Sequence, residues 1–290
     1  MKIGILIFSE PALDNYTGVI RLEESAIALG HTVVRLYEPN FSLCGDELLY
    51  EGKQIPEVDV MISRPNFIEE PSLHFYVVNT LIEKGYRVLN GEPSFAIAKN
   101  KIEQLRVFQK NKLPYPKSFI TKNPEIALEA TKQIGFPVVI KVAFGTIGKG
   151  VFYAPNQETF GPIVEYLAIR DRNPVIVQEF IKEADRKDLR VFIVGGKIIS
   201  SMERCAPEGD IRANTSNGGT GRSVTLTDQE QKLALQTAKV FDLDIIGIDI
   251  IRSNRGPLVL EVNSNPGFTE LERATETDIA KAIVNFAAGN

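Results

Sequence analysis

From Ile245 to Gly267 the chain reads as two apolar runs around a short polar turn, with acidic and amide residues at positions where burial is expected. Asp249 and Glu261 each stand six residues from Arg255. With Asn254-Arg255-Gly256 as a three-residue hairpin loop and Gly256 in the left-handed conformation, the two carboxylates fall nearly opposite each other on paired strands. Asn263, two residues beyond Glu261, projects from the same face. Three hard oxygen donors then converge on one point of an otherwise apolar sheet. Buried carboxylates need a counter-ion. An all-oxygen set without His or Cys suits Mg²⁺ or Mn²⁺, with water and phosphate oxygens completing the shell. A hairpin whose acids simply face solvent is the alternative that this segment alone leaves open.

The 290 residues suffice for one large domain or two to three small ones. Hydrophobic residues make up 43% and charged residues 24%, as in ordinary globular proteins, and no apolar run has the length of a membrane span. The N-terminal Met1–Phe8 segment reads as a buried first strand rather than a signal peptide. Cys44 and Cys205 are far apart and form neither a disulfide framework nor a zinc motif, so a cytoplasmic setting is expected. His31 and His74 also stand alone, which argues against a zinc site or a His-based triad. A net charge of −4 argues against non-specific nucleic-acid binding. Any strongly anionic ligand must therefore be gripped by local lysines and arginines.

Residues 1–97 alternate strands and helices in the βαβ rhythm of an open parallel sheet. Strands are expected at Lys2–Phe8, Thr32–Leu36, Val58–Ser63 and Arg87–Leu89, with helices at Thr17–Leu29 and Pro71–Lys84. The stretch before Pro56 reads as irregular. No Gly-x-Gly-x-x-Gly follows the first strand, so a dinucleotide site lacks support. A second unit, 98–178, begins within a helix predicted from Ser94 to Asn111. It contains a helix at Asn123–Ile134, strands at Pro137–Val142 and Gly150–Ala154, a helix at Gln157–Ile169 and a strand at Val175–Gln178. A third unit, 179–290, carries two β-rich stretches, a helix at Asp228–Asp242, the hairpin and a final helix from Thr277. The expected class is α/β (α+β) in three domains.

Lys141 ends the apolar run Val138–Lys141 and precedes Gly145-Thr146-Ile-Gly148-Lys149-Gly150. Closely spaced glycines let backbone N–H groups approach a polyphosphate, and Thr146 and Lys149 add donors. The segment is not a Walker A loop, and a plain hairpin turn would explain the glycines alone. Lys141 and Lys101 are candidates for the α- and β-phosphates. Gln178-Glu179-Phe180-Ile181, at the end of a buried strand, offers backbone groups and apolar walls to an adenine. Asp188 and Arg190 enter the next strand. Arg204 and Arg212 flank a Gly-rich stretch, Asn217–Arg222. Those arginines are either solvated surface pairs or bidentate holders of a γ-phosphate and a substrate carboxylate.

The ordered series Lys101, Lys141, Gly145–Gly150, Gln178–Ile181, Asp188, Arg212-x-Asn214, Asp249 and Glu261-x-Asn263 resembles the ATP-grasp superfamily over essentially the whole chain. Lys182-Glu-Ala184, Asp188-Leu-Arg190, Glu208-Gly-Asp210-x-Arg212-x-Asn214 and Gly256-Pro-Leu-Val-x-Glu261-Val-Asn263 resemble its RimK group, carboxylate–amine ligases that include an enzyme adding glutamate to the C-terminus of ribosomal protein S6. The resemblance implies ATP sandwiched between the central and C-terminal domains, with Lys101 and Lys141 on phosphates. It implies Gln178–Ile181 and Asp188 on adenosine, Arg204, Arg212 and Asn214 by the γ-phosphate and acceptor, and Asp249, Glu261 and Asn263 on two Mg²⁺ or Mn²⁺ ions. It also implies L-glutamate and the S6 tail as substrates and a homo-oligomer, such as a tetramer. Cys205 and Pro207 depart from the group's more basic pattern there, so a ligase acting on a small metabolite or amino-group carrier protein remains an alternative. An ATP-binding module without catalysis is another. The chemistry implied is an acyl phosphate captured by an amine, which needs no protein nucleophile. Asp249→Asn and Glu261→Gln are both expected to remove metal ligation and leave the fold intact.

Overall fold

The computed structural model describes residues 1–8, 17–64, 73–91, 94–144, 150–213 and 218–289. Its first part contains β1 (Lys2–Ile7), α1 (Thr17–Ala28), β2 (Thr32–Tyr37), β3 (Phe41–Cys44), β4 (Glu47–Tyr50), β5 (Lys53–Gln54), β6 (Val60–Arg64), α2 (Leu73–Glu83) and β7 (Val88–Leu89). Strands β2-β1-β6-β7 form a parallel sheet. The continuous apolar runs of β1 and β6 are buried, as strands covered on both faces require. The stretch expected to be irregular before Pro56 instead folds as the small antiparallel sheet β3-β4-β5. Its strands have two to four residues, too few to show a period, and Phe41 and Leu48 bury their side chains with Leu36 and Leu81.

Next come α3 (Ser94–Lys99), α4 (Lys101–Lys110), β8 (Ser118–Thr121), α5 (Pro124–Ile134), β9 (Val138–Val142), β10 (Val151–Ala154), α6 (Gln157–Glu165) and β11 (Val175–Glu179). The helix expected over Ser94–Asn111 is therefore two helices. Asn100 is extended, and its side chain accepts hydrogen bonds from the Ile102 and Glu103 amides, an N-cap that starts a new helix. This break places Lys101 at the first turn of α4, where its amide donates to the Ala143 carbonyl at 2.9 Å. Strands β10-β9-β11-β8 form an antiparallel sheet whose Val138, Ile140 and Val177 pack with Ala127 of α5 and Phe160 of α6. Lys141 is the penultimate residue of β9, with Val142 completing the strand.

The last part holds β12 (Lys187–Val194), β13 (Lys197–Cys205), β14 (Thr220–Ser223), α7 (Asp228–Phe241), β15 (Ile245–Ser253), β16 (Gly256–Asn263), α8 (Thr269–Thr275) and α9 (Ile279–Ala287). The antiparallel order is β14-β13-β12-β15-β16. A capping box between Thr227 and Glu230 starts α7, whose Leu233, Ala234 and Phe241 join Ile246, Ile248 and Phe108 in one core. The final helix begins at Ile279 rather than Thr277 because Asp278 caps it, and α8 precedes it. Ile279, Ile283 and Val284 of α9 share a core with Val19 and Leu22 of α1, which fastens the last part to the parallel sheet. Buried Asn90 adds a polar clamp: its amide nitrogen donates to the Ile245 and Ser264 carbonyls, both at 2.6 Å, and its oxygen accepts from the Ile245 amide at 2.8 Å. Both ends of the β15–β16 hairpin are thereby pinned beside the exit of β7.

Candidate active site

Asp249 and Glu261 pair directly across β15 and β16, as counted from the sequence, but by a different route. The turn has two residues, Asn254 and Arg255, with Ser253 paired to Gly256, whose φ is +100°. That pairing alone would leave the acids out of register by one. The register shifts between Asp249 and Ile250, where Leu260 is the extra residue, and the shift restores the opposition. Gly247 then pairs with Asn263. A Cβ on Gly247 would lie 2.6 Å from the Pro266 side chain, so glycine lets the segment after β16 fold back over β15.

On the same sheet face, Arg190 of β12 pairs with Asp249 and Asp188 pairs with Arg204 of β13. The Arg190 guanidinium donates to Asp249 Oδ1 at 2.5 Å and Oδ2 at 3.1 Å. Arg204 donates to both Asp188 oxygens at 2.7 and 2.8 Å and lies 3.0 Å from Asp249 Oδ2. Arg190 and Arg204 are thus buried rather than solvated, Arg204 between Asp188 and Asp249 and Arg190 against Asp249. Burial pushes the Asp249 carboxyl up, but the charges and hydrogen bonds of Arg190 and Arg204 outweigh it and hold it at about 2. Asp188 is shifted upward, by burial first, with Arg204 opposing and the Asp249 charge adding to it.

Glu261 is half-buried and its Oε1 meets Lys101 Nζ at 3.1 Å. The Lys141 ammonium is pushed down to about 8, chiefly by burial, with Glu261 opposing and Lys101 repelling it. Asn263 turns its amide nitrogen toward Asp249 Oδ2 at 3.4 Å. The structure therefore brings Lys101, Asp188, Arg190, Arg204, Asp249, Glu261 and Asn263 to one place, with Lys141 in electrostatic reach. The donor set fits a hard divalent cation: two carboxylates and an amide, with flanking cations to balance the charge of a phosphate chain. Asp249, Glu261 and Asn263 would hold the ion, which would supply charge neutralisation for phosphate oxygens.

The other candidates lie elsewhere or are otherwise engaged. Gln178 is buried and its amide donates to Ser118 Oγ at 2.9 Å. Glu179 accepts from the Lys117 amide at 3.1 Å and from Arg255 at 2.7 Å, joining the central sheet to the hairpin tip. Phe180 stacks edge-on to Tyr153 at 5.2 Å, and Ile181 is buried with Ala184 and Leu258. Arg212 grips Asp210 at 2.7–3.1 Å and holds that carboxyl at about 2. Gly150 accepts from the Val142 amide at 3.1 Å. Gly145, Thr146, Gly148, Lys149 and Asn214 lie outside the described residues.

Two cations escaped the sequence reading. Arg64 ends β6, and Lys99 ends α3, two residues before Lys101. The break at Asn100 was the signal for Lys99, because an Asn N-cap turns the chain and brings both flanking lysines to the same locality. Burial pushes Lys99 down to about 8, with Glu261 opposing and Lys101 and Arg64 repelling it.

Residues 98–287 match the RimK-like ATP-grasp domain. A protein of Marinomonas sp. (strain MWYL1) named "Probable alpha-L-glutamate ligase" is 35% identical over 273 residues, covering 91% of this chain and 89% of that protein. A "Ribosomal protein bS6--L-glutamate ligase" of Escherichia coli O81 (strain ED1a) is 32% identical over 276 residues, covering 92% and 90%. Among solved structures, ATP-grasp ligase PsnB complexed with minimal precursor, Mg and ADP has a TM-score of 0.76 at 19% identity, covering 99% of this chain and 96% of that one. D-cycloserine synthetase DcsG also has a TM-score of 0.76, at 15% identity and 99% coverage of both chains. At those identities the likeness is one of fold. Among the described residues no helix is long and apolar enough to cross a membrane. The chain belongs to the RimK-like ATP-grasp family and is an ATP-grasp ligase.

Proposed function

We propose that this ligase couples ATP cleavage to amide formation between a carboxylate and the amine of L-glutamate, and that its acceptor is the C-terminal tail of ribosomal protein S6. The observation that carries the reading is the meeting of Lys101 with Glu261 at 3.1 Å beside Asp249 and Asn263. A polyphosphate and a hard cation need that juxtaposition of ammonium groups and oxygen donors. The names of relatives at 32–35% identity supply glutamate and S6. ATP lies between units 98–178 and 179–290, with 1–97 as a separate N-terminal unit, in a cytoplasmic enzyme.

Lys101 and Lys141, with the Gly145–Gly150 loop, take the phosphates. The backbone of Gln178–Ile181 takes the adenine, since the Gln178 and Glu179 side chains are already engaged. Asp249, Glu261 and Asn263 would ligate two Mg²⁺ or Mn²⁺ ions, which would neutralise phosphate charge. Arg204, Arg212 and Asn214 serve the γ-phosphate and acceptor, and Arg190 and Asp188 keep Asp249 and Arg204 in place. The acceptor carboxylate attacks the γ-phosphate, giving an acyl phosphate and ADP. The glutamate amine then attacks the acyl carbon, a proton leaves the amine, and phosphate departs.

The test incubates the protein with ATP, Mg²⁺, L-glutamate and an S6 tail peptide, and reads ADP and peptide mass. Glutamyl mass increments with matching ADP are expected. ADP and product formed only with a small carboxylate, or with an amino-group carrier protein, would transfer the activity to that acceptor.

A further inference from the structure

The mechanism above uses neither Arg64 nor Lys99. In the parallel sheet the chain leaves the carboxyl end of β1 for β2 on one side and returns to β6 on the other. Open α/β sheets take ligands in the crevice at such a reversal, outside the carboxyl ends of the strands. Arg64 stands at that end of β6, in register with Ile7 of β1. It is half-buried, donates to the Pro266 carbonyl at 3.2 Å and lies 5.5 Å from the centre of the Phe268 ring. Pro266 in turn packs over Gly247 beside the Arg190 guanidinium, so Arg64 stands close to the candidate metal ligands.

Burial lowers Arg64 to about 10, and no carboxylate among the described residues pairs with it. Lys99, held against the Phe95 ring at 5.6 Å, adds a second positive charge close to Arg64. Half-buried cations concentrated in this way favour an incoming anion. We infer that Arg64, with Lys99 beside it, receives a non-reacting carboxylate of the amino-acid substrate at the carboxyl end of the parallel sheet. The planar guanidinium fork, set by Pro266 and Phe268, matches a carboxylate in two-point contact, which a lysine cannot imitate. A carboxylate held so is withdrawn from nucleophilic attack, which leaves the substrate amine to react. The acidic amino acid of the relatives' names carries two such groups. The assignment rests on the ligase reading for its substrate, but its residues and location do not depend on the acceptor.

The test compares full-length wild type with Arg64→Leu and Arg64→Lys. L-Glutamate binding is read by calorimetry in the presence of a non-hydrolysable ATP analogue and Mg²⁺, and the analogue's own affinity is measured separately. The expected result is at least a tenfold weaker glutamate affinity for Arg64→Leu, a smaller loss for Arg64→Lys, and unchanged nucleotide affinity. Thermal melting checks that each variant is folded, and Arg64→Lys keeps the test decisive if the leucine variant is not. Equal glutamate affinity in wild type and a folded variant would overturn the assignment. So would wild type that binds no glutamate, or a loss confined to acceptor peptide. Failure of S6 glutamylation with these binding results intact would remove the acceptor reading and leave the subsite standing.

Discussion

Arg190 and Asp249 face each other across β12 and β15 and share two hydrogen bonds, at 2.5 and 3.1 Å, with Arg204 3.0 Å from the same carboxylate. A candidate metal ligand is therefore also the counter-charge of two buried guanidinium groups. Structural and ligating duties meet in one side chain.

That coupling separates two substitutions that the sequence treats alike. Asp249→Asn leaves two buried arginines short of a charge and is expected to lower stability by about 3 kcal/mol, the range found when one partner of a buried pair is removed. Glu261→Gln affects a half-buried acid paired with one lysine and should change stability by about 1 kcal/mol or less. Urea unfolding of the two proteins checks the contrast. Both should lose ADP formation, by roughly 100-fold or more.

In its proposed place on the phosphates, Lys141 would give ATP binding a pH dependence. Its ammonium sits at about 8, below the ordinary lysine value, so it is mostly charged at pH 7 and mostly neutral at pH 9. A bound triphosphate raises that value, and binding must then draw in a proton. Affinity should fall about tenfold from pH 7 to pH 9, the ratio of charged fractions on either side of the titration. Calorimetry at pH 8.5 in buffers of different ionisation enthalpy should record proton uptake. Lys141→Met should bind more weakly throughout and lose this part of the uptake.

The Arg255–Glu179 pair ties the hairpin tip to the end of β11. Arg255 is exposed, so Arg255→Ala should change stability by less than about 1 kcal/mol. Its effect should instead fall on the relation between the two sheets proposed to flank the nucleotide. A rise of roughly threefold in KM for ATP, with kcat little changed, is the expected result of steady-state kinetics.

The Asn90 clamp should behave in the opposite way. Asn90→Ala removes a buried amide that serves the Ile245 amide and the Ile245 and Ser264 carbonyls, leaving three backbone groups unsatisfied. A loss of about 2–4 kcal/mol is expected from such desolvated groups. Hydrogen exchange should show the start of β15 opening more often, which no surface substitution on that hairpin would reproduce.

The sequence by itself determined the alternation of the first sheet, the helix that Asn123 caps and the hairpin, each governed by local periodicity or by a turn. It also set Asp249 opposite Glu261, but through a three-residue loop, whereas the structure reaches that pairing through a two-residue turn and a register shift at Leu260. The sequence also carried the family resemblance, because the motifs that mark the family stand in fixed order along the chain. The β3-β4-β5 sheet and the break at Asn100 were less legible, since short strands lack a period and a single cap can outweigh a continuous helical pattern. Only the tertiary structure decided that Arg190 and Arg204 are buried against Asp188 and Asp249, and that Arg64 and Lys99 gather near Lys101. The reason is physical. A charge's partner is set by which strands lie side by side, and residues 64, 99, 190 and 249 come together only after the parallel sheet, α3 and the sheet of β12 and β15 have packed.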